Sequence, residues 1–175
     1  MQTRTLLGLA AVVLLSVPLS VEAETTARQS FRVHVTPRFS ISAPPAGAHA
    51  ELLPDQTQVQ IAPQAWDIAA NSQAGATVQF ATEQSFHNLD DDSIRRDAQL
   101  QVSITSQSSS AAWTVTQAQA TTAYQVGHES ATVQVRSVKP GSAVLELTVT
   151  FLQGDAVVTP GGDYVTTVVG TITGN

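Results

Sequence analysis

From Phe31 onward, apolar and polar residues alternate with a period of two along most of the chain. Such alternation places every second side chain on one face of a strand, as in a sheet with one buried side. Phe31, Val33 and Val35 alternate with Arg32 and His34; Pro37 interrupts the run, and Phe39 and Ile41 begin another. Further runs centre on Val59 and Ile61, on Trp66 and Ile68, on Val78 and Phe80, and on Leu100, Val102 and Ile104. Trp113 and Val115, Val133 and Val135, and Leu145 to Phe151 follow, and Tyr164 to Thr173 reads as one long final strand. Pro44-Pro45, Pro63, Pro140-Gly141 and Pro160-Gly161-Gly162 fall between runs and supply turns. The polar partners are mostly Thr, Gln and Ser, which suit an exposed sheet face and give helices little to build on. The pattern predicts about 8–10 strands in an antiparallel, immunoglobulin-like β-sandwich or a related Greek key. A barrel satisfies the same periodicity.

Three segments fall outside the strand pattern. Leu6 to Leu15 is an apolar run preceded by Arg4 and followed by Val21-Glu22-Ala23, the layout of a secretory signal peptide over residues 1–23 with cleavage after Ala23. Ten residues are too few for a membrane helix, which needs about 20. The expected product is a single β-sandwich domain over residues 24–175, exported to the periplasm, cell surface or medium. Ala43 to Asp55, rich in Pro and Ala, reads as a long loop. Ser85 to Asp97 breaks the alternation and concentrates charge.

Composition narrows the function classes. Eight Lys and Arg stand against 14 Asp and Glu, for a net charge of −6, and Lys139 is the single lysine. Phosphate binding needs a clustered cationic face, so nucleic acid is not an expected partner. There are 0 cysteines, hence no disulfide framework and no thiol for a lipid anchor, which suits a bacterial exported protein.

Candidate chemistry is sparse. Asn88, Asp90, Asp91, Asp92 and Asp97 are hard oxygen donors of the kind calcium favours, with Asn88, Asp90, Asp92 and Asp97 as the candidate ligands. An EF-hand loop starting at Asn88 would place glycine and glutamate where Ser93 and Gln99 stand. The alternative is a solvated acidic loop with an aspartate capping a short helical turn, balanced by Arg95 and Arg96. His34, His49, His87 and His128 are isolated, His34 on a strand and the others in expected loops, and no spacing among them proposes zinc. No Gly-x-Ser-x-Gly elbow occurs, and no catalytic or cofactor-binding residues are assigned. Trp66 and Trp113 sit at alternating apolar positions and are expected in the core.

Ser110-Ala111-Ala112-Trp113-Thr114-Val115-Thr116, with Thr122 and Tyr124, is similar to the Trp-x-Leu block of WxL-type bacterial cell-surface domains, with Val115 in the leucine position. The ending from Gly162 to Thr173 resembles the Gly-x-Tyr-x-x-Thr-Val final strand of those domains and of spore coat protein U or fimbrial-like proteins. The resemblance implies a secreted β-sandwich at the bacterial surface. The leading expectation is a non-enzymatic structural or adhesive protein, partnered by a cell-surface component or by itself through strand edges. A ligand-binding module, taking calcium at the acidic loop or a glycan on its loops, is the alternative.

Overall fold

The computed structural model describes residues 26–45, 47–153 and 159–175. The expected signal peptide lies outside the described residues. The chain divides into two units, residues 1–34 and 35–175. In the first, residues 26–34 run without turn, bend or ladder and are exposed.

The second unit is an all-β, antiparallel sandwich of two sheets. Its strands are β1 (Phe39–Ser42), β2 (Gln58–Gln60), β3 (Gln64–Ala70), β4 (Ala76–Thr82), β5 (Phe86–Asn88) and β6 (Arg95–Gln107). They continue with β7 (Thr114–Gln117), β8 (Gln119–Thr121), β9 (Thr132–Arg136), β10 (Gly141–Leu152), β11 (Tyr164–Val165) and β12 (Val168–Gly174). The larger sheet has the order β1-β3-β10-β6-β5-β11, with β2 continuing the β3 side of β10 and β8 lying on β6. The smaller has the order β12-β4-β9-β7.

The two longest strands, β6 and β10, pair with each other along the middle of the larger sheet. Their inward residues Leu100, Val102, Leu145 and Leu147 meet Val78, Phe80, Val133 and Val135 of the smaller sheet in one buried cluster. Burying each such side chain contributes about 1.5–3 kcal/mol, so the interface between sheets dominates the stability of the unit. Trp113 is buried as expected, whereas Trp66 is only partly buried and meets Phe80 edge to face at 5.0 Å. A smaller cluster of Phe86, Phe151 and Tyr164 packs edge to face at 5.2 and 5.3 Å, holding β5, β10 and β11 together. Gly75 turns β3 into β4 at φ 78°, where an added Cβ would stand 2.1 Å from the Ser137 carbonyl oxygen. Only glycine fits there.

Four local expectations change. The final strand is two strands: β11 joins the larger sheet and β12 the smaller, with the Thr166 hydroxyl donating to Gln84 O and the Glu83 backbone N–H to Thr167 O at the crossing. The segment Ser85 to Asp97 is a hairpin, with Phe86–Asn88 in β5 and Arg95 opening β6, so Asn88, Asp97 and His87 lie on strands. Its turn is not helical, so no aspartate caps a helix there. The Phe31 to Val35 run enters no ladder.

Among the described residues, no helix is long and apolar enough to cross a membrane. Truncating the inter-sheet contact tests this packing. Leu145→Ala should lower the unfolding free energy by about 2–5 kcal/mol in a denaturant titration. A loss below about 1 kcal/mol would contradict a core centred on β6 and β10.

Candidate functional site

Two features stand out, the acidic hairpin turn read from the sequence and an open seam between the two sheets. The turn is organised by Asn88, whose side chain is buried. Asn88 Oδ1 accepts the backbone N–H groups of Asp90 (2.8 Å) and Asp91 (3.2 Å), and its own N–H donates to Ile94 O (3.0 Å). Asp91 Oδ1 accepts both the hydroxyl of Ser93 (2.6 Å) and its N–H (3.0 Å). That hydroxyl first, and the N–H second, hold the Asp91 carboxyl below its ordinary pKa of 3.8. Asp92 faces Arg95 at 3.5 Å, and Arg95 also pairs with Glu129.

Asp97 is committed elsewhere. Its Oδ1 accepts the Thr122 hydroxyl (2.8 Å) and the Tyr124 N–H (3.0 Å), while Thr122 Oγ1 accepts the Ala98 N–H (2.8 Å). This tie fastens the single-turn 3-10 helix at Tyr124–Val126 to β6. Arg96 is buried and donates to Arg95 O and to the Thr159 hydroxyl. The oxygens of Asn88 and Asp91 thus serve the turn, that of Asp92 serves Arg95, and that of Asp97 serves the 3-10 turn. Among the described residues, no three His, Asp or Glu side chains converge as a metal cage would require. His87 Nδ1 meets the Gln84 side-chain amide at 2.7 Å, and His34, His49 and His128 are exposed.

The seam lies where the sheet edges β1 and β12 run close together. Among the described residues, β12 pairs with β4 alone, and β1 with β3 alone. Glu83 donates to Thr167 O (2.9 Å) and Asn175 to Gly75 O (3.4 Å), which fixes the β12 phase. Odd-numbered backbone groups of β12 therefore face β4, and those of Val168, Gly170, Ile172 and Gly174 face away from it. By the same logic Asn71 donating to Arg38 O (3.1 Å) turns the backbone groups of Phe39 and Ile41 away from β3. An added Cβ on Gly170 would lie 2.8 Å from Ile41 Cδ1, and one on Gly174 2.7 Å from the Phe39 ring. The strands are thus within side-chain reach, yet no ladder joins them.

Apolar side chains line this gap. Phe39 and Val169 are 38% and 43% exposed, and Ile41, Trp66, Val168 and Ile172 are half-buried against the core. Trp66 Nε1 is buried without an acceptor. The alternation of Phe39 with Ile41 and of Val168 with Ile172 was visible in the sequence. Their juxtaposition was not, because a strand's neighbours are set by topology, not by its own pattern.

The turn yields two predictions. Asn88→Ala should cost about 1–3 kcal/mol of stability by thermal or chemical unfolding, since its buried carbonyl closes the turn. Asp91, with its folded pKa depressed, contributes stability that is present above pH 3.8 and is lost as pH falls through the folded value. Ser93→Ala should move the Asp91 titration up toward 3.8 in carboxyl-detected NMR, and an unmoved midpoint would contradict the hydroxyl as cause.

Compared with models of known protein families and with curated proteins, the chain matches none.

Proposed function

We propose that the chain is an exported, non-enzymatic structural protein of the bacterial envelope or extracellular space, working by strand-edge association with itself or another surface component. The supporting observation is the β1/β12 seam, where two open backbone rows and an apolar rim occur together. Open edges invite strand addition, and proteins that must stay apart blunt them with charge, proline, bulges or brevity. β7, at the opposite edge of the smaller sheet, is four residues long and bulged between Val115 and Gln117. β11, at the end of the larger sheet, is two residues long. β12 is seven residues long, and neither it nor β1 carries a charge or a proline. β12 is therefore the longest of these edges. Main-chain hydrogen bonds to such an edge give affinity, and the alternate side chains facing the core give specificity.

Ile172→Pro tests this reading, because proline at 172 removes an N–H on the open side and leaves the β4 ladder intact. The weight-average sedimentation coefficient of the purified protein should rise with concentration, and that of the Ile172→Pro variant should stay at the monomer value. A parent protein that remains monomeric at high concentration would count against association at this edge.

A further inference from the structure

The outward face of the larger sheet holds a hollow of about 280 Å³ where β1, β3, β10 and the end of β6 lie side by side. Register sets its side chains in two rows. Ser42, Asp67, Val144 and Ser106 are successive cross-strand partners in one. Ser40, Ala69 and Ser142 are partners in the next, which Ser108 closes by donating its N–H to Ser142 O (2.9 Å). No side chain in either row is larger than valine or aspartate, so the hollow is the space that bulkier residues would fill. We infer that it is a carbohydrate site, seating one sugar residue of a neutral, hydroxylated glycan with Asp67 as its anchor.

The state of the polar groups supports this first. The Asp67 carboxylate and the hydroxyls of Ser40, Ser42 and Ser106 make no hydrogen bond or ion pair with any described residue, whereas Asp91, Asp92 and Asp97 are all committed to the fold. Hydroxyls both donate and accept, and a carboxylate accepts from two neighbouring O–H groups at once. A ligand that answers this set carries several hydroxyls. An anion finds no cation in the lining, and an apolar ligand would desolvate the serines without replacing their hydrogen bonds with water. Ala69 and Val144 lie between the serines and offer an apolar floor to the C–H face of a sugar ring.

A bulge supplies the second support. Leu145 pairs with Ile104 but Val144 with Ser106, so Thr105 is the extra residue of β6. The Thr105 hydroxyl donates to Val144 O (3.1 Å) and holds the bulge in place. Before it the even-numbered residues Leu100 and Val102 face the core; after it Ser106 faces outward beside Val144. Bulges re-aim side chains and recur next to active sites. This one brings Ser106 into the row that contains Asp67. The hollow uses the outward side chains of β1 and not its open backbone row, so the inference does not rest on the edge-association reading.

The test is a two-dimensional amide NMR titration of the purified protein with maltohexaose, cellohexaose and chitohexaose, and with a chitosan hexamer as the amine-bearing control. At least one neutral oligosaccharide should shift the amides of Ser42, Asp67, Ala69, Val144 and Ser106 saturably. Asp67→Asn keeps the size of the side chain and should weaken that binding about tenfold, the loss of one charge-assisted hydrogen bond. Ala69→Leu fills the hollow and should abolish it. Neither side chain belongs to the core, so both variants should melt with the parent protein, which circular dichroism checks. Shifts that map elsewhere and survive Ala69→Leu would overturn the site. Unchanged affinity in Asp67→Asn would overturn the anchor. Binding of the amine-bearing hexamer alone would overturn a neutral sugar as the ligand, and no shift with any of the probes at millimolar concentration would overturn the carbohydrate assignment.

Discussion

Backbone N–H and C=O groups in a sheet need partners on both sides of every strand, and that demand governs this structure. Along β10 it is met on both sides, by β6 and by β3 and β2, and β6 pairs with β10 through most of its 13 residues. At the periphery it is met by making strands short, as in β11, or by bulging them, as in β7. Along one side of β1 and β12 it is left unmet among the described residues, beside apolar side chains that only half enter the core. The core supplies stability, and the β1/β12 margin is where the proposed association would act.

The acidic turn shows how differently a polar cluster can be used. Asn88, Asp90, Asp92 and Asp97 look like a ligand set when read along the chain, yet Asn88, Asp92 and Asp97 point their oxygens at neighbouring donors of the fold. Asn88 closes the β5–β6 turn, and Asp97 fastens the segment after β8 to β6. These bonds replace the helix cap that an acidic run near Ser93 suggests. They also explain why a charged segment sits firmly between two strands that reach the Phe86–Phe151–Tyr164 cluster.

Much of the fold was legible from periodicity. The inward residues of β4, β6, β9 and β10 are those whose alternation marks them in the sequence, because each strand buries a single face. Periodicity is silent about which strand lies beside which. It therefore missed the sheet change between Val165 and Val168, where both halves keep the same alternation while their partners differ. It also read Phe31 to Val35 as a strand like any other, since a pattern records what a segment is built to bury and not whether a partner is at hand. The seam was half legible: the long uncharged final strand announced an edge, and only the topology set β1 beside it.

Amide hydrogen exchange resolved by residue tests the central claim most directly, because the two sides of β12 differ in phase. In dilute solution the N–H groups of Val169 and Thr171, which face β4, should be protected, while those of Val168 and Ile172 exchange quickly. As concentration rises, Val168, Ile172 and the β1 residues Phe39 and Ile41 should gain protection together. Exchange at these four amides that is already slow when dilute, or that ignores concentration, would contradict an open association edge.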